Sequence, residues 1–171
     1  MTFIALLFST ISLAQAGDAC SSYKVTADDF GGSSNVSAVV QALHQFAAVG
    51  VSFQVKSAQA EFDLMVKEGG AVTKTVEAGL EIPFKFEDGT ILTLKTNREN
   101  TSTPYVAGDS VMTLVPYTLA LDVAIVEKLI ASPIAAVRLP TAAGPYDWKP
   151  NKSVQKGVAK AAACIQQHLP K

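Results

Sequence analysis

The alternation of apolar and polar residues over positions 80–95 restricts the fold more than any other feature of the sequence. It runs through residues 80–87, is interrupted by an Asp-Gly pair, and is followed by a second apolar-rich segment. Period-2 alternation predicts a strand with one buried face, and a three-residue loop with Gly89 in the left-handed conformation predicts a hairpin. Pro83 places the first strand at a sheet edge or at a position without a ladder hydrogen bond. The predicted cross-strand pairs are Phe84 with Leu92, Ile82 with Leu94, and Glu81 with Lys95.

A second hairpin is predicted over residues 51–67. Alternation in 51–56 and again in 62–67 gives two strands with one apolar face each. A turn over residues 57–60 would place opposite charges beside each other, and Gly69-Gly70 would end the second strand. The pairs in this register are Val55 with Phe62, Phe53 with Leu64, and Lys56 with Glu61.

Residues 111–117 are apolar on both faces, which predicts a central strand. A short helix is expected to open at Thr118 or Ala120 and to run to about Ser132, where Pro133 would end it and residues 134–139 would return as a strand. Its inward positions would be Ile125 and Leu129.

A last helix is predicted after Asn151, which can cap it, following a loop over residues 140–150. Three lysines one turn apart would face water. Residues 35–48 fit a helix and a strand equally, so their periodicity decides nothing. The inward stripe of the last helix consists of Val154, Val158, Ala161, Ile165 and Leu169, with Cys164 at its border.

The first sixteen residues predict a secretory signal peptide. An apolar run over residues 3–13 is followed by Ala14-Gln15-Ala16, a small-x-small cleavage site, and is too short to span a bilayer. Removing 16 of the 171 residues leaves 155, which suits a single domain, residues 17–171. We therefore expect an exported protein, periplasmic or secreted, with no transmembrane segment in its mature chain.

The expected fold class is α+β. Two hairpins and further strands predict a β-rich antiparallel meander of about seven to eight strands, with one short helix and a C-terminal amphipathic helix packed on the sheet. Export makes a disulfide between Cys20 and Cys164 possible, which would join the N-terminus to the last helix. Two separate thiols remain the alternative.

Several motifs together resemble a known family. They are Asp29-Phe30-Gly31-Gly32 before an apolar run, the hairpin at residues 84–91, Tyr117-x-Leu119 before a helix, and Ile134-x-x-Val137-Arg138-Leu139 before the terminal helix. The chain resembles a family of small, secreted, uncharacterised β-rich domains from Gram-negative bacteria, over roughly residues 25–165. The resemblance implies an extended conformation for residues 36–43, and it implies no activity and no site.

The charge and the motifs argue against most chemistries. The net charge is −1 without a basic cluster, which disfavours nucleic-acid binding. The two histidines, His44 and His168, occur in no nucleophile or metal-binding motif, and the glycine pairs match no phosphate-binding loop. We therefore expect no catalytic residue, no metal and no cofactor.

Two features could contact a ligand. Asp28 and Asp29 could line a calcium or sugar-hydroxyl site, although a turn in which Asp caps backbone amides is the favoured interpretation. Tyr146 and Trp148 lie between prolines and could form a contact surface for a sugar or a partner protein. The favoured interpretation of Trp148 is that it covers the start of the last helix.

Three functions remain after these exclusions. The leading hypothesis is an exported, non-catalytic binding or interaction module for an unknown protein or carbohydrate ligand. The first alternative is a small hydrolase or carbohydrate-active enzyme that uses Asp28 or Asp29 with another carboxylate. The second is a structural subunit of an envelope assembly.

Overall fold

The computed structural model describes residues 20–26, 35–43, 48–56 and 58–169. Within these ranges it contains two helices and twelve strands, so the α+β antiparallel class is confirmed, whereas the expected seven to eight strands were too few. The elements are β1 (Lys24–Thr26), β2 (Asn35–Gln41), β3 (Val49–Lys56), β4 (Gln59–Gly69), β5 (Thr75–Val76), β6 (Glu81–Phe86), β7 (Ile91–Lys95), β8 (Asn100–Thr101), β9 (Thr103–Ala107), β10 (Ser110–Leu121), α1 (Val123–Ala131), β11 (Ile134–Thr141), β12 (Gly144–Trp148) and α2 (Lys152–Gln166).

Two antiparallel sheets enclose the core. The larger has the order β1-β2-β3-β4-β10-β9 and the smaller β12-β11-β6-β7, while β5 and β8 form a separate pair. Phe53 stacks on Phe62 with ring centroids 4.5 Å apart, and Phe62 lies 5.9 Å from Phe84 of the smaller sheet. These rings join the two sheets, and all three side chains are fully buried.

The hairpin of β6 and β7 confirms its predicted register. Phe84 pairs with Leu92, and Gly89 has a positive φ of 85° in the loop, where a glycine carries no steric penalty. Because β6 lies between β11 and β7, Pro83 is not on an edge strand, and the second of the two predicted placements, a position without a ladder hydrogen bond, applies. Pairing with β11 begins only at Phe84, so the missing N–H of Pro83 falls beyond that ladder.

The hairpin of β3 and β4 exists, but its predicted register was wrong by two residues. Lys56 pairs with Gln59, not with Glu61, so only two residues lie in the turn. One of them, Ala58, has a positive φ of 64°, as tight hairpin turns require. A shift of two residues keeps each side chain on its face, which is why the predicted core is still correct. The observed pairs are Val55 with Ala60, Phe53 with Phe62, and Val51 with Leu64.

The short helix starts later than predicted. Strand β10 continues to Leu121, and Asp122 caps α1 by accepting a hydrogen bond from Ile125 N–H at 2.8 Å. The helix ends before Pro133, as expected. Its buried residues are Val126 and Leu129, whereas Ile125 is only partly buried.

The terminal helix α2 packs its predicted stripe against the body of the domain. Asn151 caps it, accepting a hydrogen bond from Val154 N–H at 3.0 Å. A Cβ on Gly157 would lie 2.7 Å from Val40 Cγ1, so glycine lets the helix approach β2 closely. Gln155 is also buried, which the sequence did not indicate, and its side-chain amide donates a hydrogen bond to the carbonyl oxygen of Ile134.

A disulfide joins Cys20 to Cys164, with their Cα atoms 4.8 Å apart, which confirms the expected pair. The segment after Cys20 continues as β1, which pairs with β2 at the edge of the larger sheet. Residues 35–41 are a strand, as the family resemblance implied.

The predicted loop at residues 140–150 contains a strand, so that prediction was wrong. Residues 144–148 form β12, which pairs with β11 alone and ends the smaller sheet. An edge strand tolerates Pro145, because one side of it forms no ladder hydrogen bonds. The prolines led to the prediction of a loop here, since proline is otherwise rare in strands.

Three sequence predictions lie outside the described residues: the signal peptide, the acidic pair Asp28 and Asp29, and His44. Among the described residues, neither helix has the length and apolar character needed to cross a membrane.

Candidate functional site

The candidate site is a cavity of about 400 Å³ at the end of β4, which we name the β4 pocket. One wall comes from Ala48 and residues 66–69 of β4, and the other from residues 141–146 at the β11–β12 turn. The pocket therefore lies where the edge of the smaller sheet folds over the larger one. Its size is within the usual range for small-ligand sites.

Glu68 is the distinctive residue of the β4 pocket. It shares the inward face of β4 with Phe62, Leu64 and Val66, and it is 9% exposed. Its Oε2 accepts a hydrogen bond from Ala142 N–H at 3.0 Å, which fixes the turn above it. Its Oε1 is buried and has no hydrogen-bond partner among the described residues. A buried carboxylate oxygen without a donor is energetically costly, so this oxygen has an unused capacity to accept a hydrogen bond.

A polar network lies behind Glu68. Lys74 Nζ is 4.0 Å from Glu68 Oε1 and donates to Tyr117 Oη at 3.2 Å. Both Lys74 and Tyr117 donate to the carbonyl oxygen of Pro140 in β11. The network thus ties the two sheets together beside the pocket. Burial of the Tyr117 phenol, with the negative charge of Glu68, raises the pKa of Tyr117 above its usual value.

Tyr146 and Trp148 do not form one contact surface. Both belong to β12, but Trp148 is 7% exposed in the core, whereas Tyr146 is 40% exposed and lines the β4 pocket. The aromatic ring available to a ligand is therefore that of Tyr146.

Two further cavities are less suited to a ligand. One, of about 350 Å³ on the outer face of the smaller sheet, contains Arg138 and Asp147, which pair at 2.7 and 2.8 Å. Arg138 lowers the pKa of Asp147, so this carboxylate stays ionised and engaged. The other, of about 400 Å³, is lined by Asn97, by Gln59 and two alanines at the β3–β4 turn, and by Ala120 and Leu121 of β10.

A second buried carboxylate, Glu61, lies on the opposite face of β4. Its Oε1 accepts hydrogen bonds from Asn97 Nδ2 at 2.7 Å and from Arg98 Nη1 at 2.5 Å. Arg98 also reaches Thr118 of β10. Glu61 therefore holds the segment after β7 against the larger sheet.

One group among the described residues has the ligand types of a metal site. Cys20, Cys164 and His168 bring their sulfur and nitrogen atoms within 4.8 Å of one another, although the two sulfurs are bonded to each other. The signal for this group in the sequence is the spacing of four residues between Cys164 and His168, which was not recognised.

Comparisons of the chain with family models, curated proteins and solved structures found no match. The resemblance to a Gram-negative family therefore stays a prediction.

Of the residues at the pocket and in the network behind it, Tyr146 was predicted from the sequence as a contact residue, whereas Glu68, Lys74 and Tyr117 were not. A signal for Glu68 was present, because it continues the apolar alternation of 62, 64 and 66 and so occupies an inward position. No pattern in the sequence pointed to Lys74, which reaches the network from an irregular segment.

Proposed function

We propose that this protein is an exported, non-catalytic binding module whose β4 pocket takes a neutral, hydroxyl-bearing ligand, namely a carbohydrate. The observation that carries the proposal is that Glu68 lines the pocket and that its buried Oε1 lacks a hydrogen-bond donor among the described residues. A sugar hydroxyl supplies such a donor. The exposed ring of Tyr146 offers an apolar face on which a sugar ring can stack.

The charges around the pocket favour a neutral ligand. The charge of Glu68 is offset by Lys74, and Lys67 also lines the cavity. A cation in the cavity would meet Lys67, and an anion would meet Glu68. A hydroxyl donor satisfies Glu68 Oε1 without introducing a charge.

Each of the three cavities described above is lined by at most one carboxylate, and glycoside hydrolysis generally uses two. This supports binding over the alternative of a carboxylate-dependent hydrolase. A hydrolase would need Asp28 or Asp29, which lie outside the described residues.

The test is saturation-transfer NMR of the purified protein with methyl glucoside, N-acetylglucosamine and cellobiose as probes. We expect transfer to at least one probe, with a dissociation constant of about 1 mM, as suits a few polar contacts and one ring. Tyr146→Ala should abolish transfer and Glu68→Gln should weaken it. Tyr105→Ala, which replaces a partly buried tyrosine of β9 outside the pocket, should leave transfer unchanged.

Absence of transfer to every probe, or equal transfer in Tyr146→Ala and Tyr105→Ala, would overturn the proposal. Release of nitrophenol from nitrophenyl glycosides that is lost in Asp28→Asn or Asp29→Asn would establish the hydrolase instead.

A further inference from the structure

Cys164 and His168 are placed on one face of the end of α2. The helix runs to Gln166, and Gln167 continues with right-handed helical backbone angles, φ −68° and ψ −18°. His168 therefore follows Cys164 by about one helical turn. Ligands at positions i and i+4 point the same way, which is the spacing that zinc-binding helices use.

Cys20 brings a third ligand to the same point. Its Sγ lies 3.5 Å from His168 Nε2. A tetrahedral zinc ion, with bonds of about 2.3 Å to sulfur and about 2.0 Å to nitrogen, holds such a pair about 3.5 Å apart. The sulfur and the imidazole nitrogen are thus already at the separation that a shared metal requires.

We propose that Cys20, Cys164 and His168 form a redox-gated Zn²⁺ site, which is closed while the disulfide is intact and opens when it is reduced. The site shares no residue with the β4 pocket and does not depend on the proposed binding function. Two cysteines and one histidine are a known zinc ligand set that leaves a fourth position for another ligand.

Opening the site needs a dithiol reductant. The dithiol gives two electrons and two protons to the Cys20–Cys164 bond, which becomes two thiols, while the dithiol itself becomes a disulfide. Zn²⁺ then displaces the two thiol protons to solvent, because the thiolate is the form that binds metal. In the oxidised protein neither sulfur carries the charge that would hold the ion.

Non-covalent contacts keep Cys20 in place after reduction. Tyr23 Oη donates to the carbonyl oxygen of Gly157 at 3.4 Å, and Lys160 Nζ donates to Ser22 Oγ at 2.9 Å. The Lys160 ammonium also lies 5.9 Å from the centroid of the Tyr23 ring. Gly157 and Lys160 lie on the helix that carries Cys164. These contacts therefore hold the segment after Cys20 against α2 when the disulfide is absent.

The burial of the ligands suits a site that solvent can reach from one side. Cys164 is fully buried and Cys20 is 7% exposed, whereas His168 is partly exposed. Gln167 Oε1 lies 3.9 Å from Cys20 Sγ, so it or a water molecule can complete the tetrahedron. The metal enters from the His168 side.

The test uses Co²⁺ as a spectroscopic probe on the purified protein, reduced with a phosphine that does not itself bind the metal. We expect one equivalent to bind with a thiolate-to-metal charge-transfer band, and Zn²⁺ to displace it. The oxidised protein should show no such band. His168→Ala should weaken binding by more than about 100-fold, since even partners that only orient a ligand contribute about 10- to 100-fold. Gln166→Ala, an exposed neighbour, is the matched control.

Thermal melting followed by circular dichroism separates metal binding from folding. Zn²⁺ should raise the melting temperature of the reduced protein and leave that of the oxidised protein unchanged. The proposal is overturned if the reduced protein shows no charge-transfer band, or if His168→Ala binds Co²⁺ as tightly as Gln166→Ala. Reduced protein that unfolds and does not refold on addition of Zn²⁺ would overturn it equally.

Discussion

Glu61 and Glu68 lie seven residues apart on β4, and their surroundings differ in a way that separates a structural carboxylate from an available one. Both are 9% exposed, and each has one oxygen without a hydrogen-bond partner among the described residues. Glu61 accepts hydrogen bonds from two side chains, the charged guanidinium of Arg98 and the neutral amide of Asn97. Glu68 accepts one hydrogen bond, from the backbone N–H of Ala142, and the ammonium nitrogen of Lys74 is 4.0 Å from its Oε1.

The difference shows that burial alone does not indicate a binding site. Glu61 faces a segment that it holds in place, and its best donors are already used. Glu68 borders a cavity that a second molecule can enter, and its nearest cation is engaged with Tyr117 and Pro140. Charge-assisted hydrogen bonds are stronger than neutral ones, so the two residues should contribute unequally to stability.

The largest expected effect comes from placing a carboxylate where the protein has no partner for it. Ala161 in α2 is fully buried among apolar side chains, so Ala161→Glu should destabilise the domain by about 3 kcal/mol or more. Gln166→Glu, exposed on the same helix, should change stability by less than about 0.5 kcal/mol. Thermal melting compares the two variants. An unchanged melting temperature for Ala161→Glu would mean that α2 is not packed as described.

Exchanging each native carboxylate for its amide tests the comparison directly. Glu61→Gln loses the ionic bond to Arg98 and should cost about 1–2 kcal/mol, limited because the Arg98 side chain is 47% exposed and regains water. Glu68→Gln keeps an acceptor for Ala142 N–H and loses only the longer ion pair, so it should cost less than about 1 kcal/mol. Urea unfolding at neutral pH measures both. The distinction between the two residues fails if Glu68→Gln is the more destabilising.

The smallest effect is confined to alkaline pH. Because the pKa of Tyr117 is raised in the folded protein, its phenol stays protonated there while an unfolded tyrosine ionises near pH ~10. This stabilisation is complete below pH ~10 and is lost as the pH rises towards the folded value, by roughly 0.8 kcal/mol at pH ~10.5. Tyr117→Phe should remove that dependence.

Urea unfolding between pH ~9 and ~10.5 measures the alkaline slope. Asn97→Ala, beside Glu61, is the control and should keep the slope of the unmodified protein. A slope that is unchanged in Tyr117→Phe would show that another group is responsible for the alkaline loss.

The sequence predicted elements where two kinds of information agreed. At β6 and β7 the apolar alternation and the Glu81–Lys95 charges specify the same register. At β3 and β4 a possible Lys56–Glu61 pair favoured a longer turn, and no glycine or asparagine marked the left-handed position at Ala58. Charge matching is a weak guide because an exposed ion pair contributes little free energy.

The candidate site could be predicted only in part. Tyr146 was found because aromatic residues between prolines stand out in a sequence. The network of Glu68, Lys74 and Tyr117 joins three distant segments, and which of them meet depends on how the two sheets pack. An inward carboxylate at the end of an apolar alternation was the one signal that could have identified Glu68.

The Cys20–Cys164 disulfide joins residues that are synthesised at very different times. Its two residues are 144 positions apart, so during synthesis the bond can close only after nearly the whole domain has been made. A random encounter over that length is entropically unfavourable, and in the folded domain the contacts of Ser22 and Tyr23 with α2 hold the two sulfurs close together. Among the described strands β1 is the first to be synthesised, yet the covalent link between its segment and α2 has to wait until Cys164 has been added.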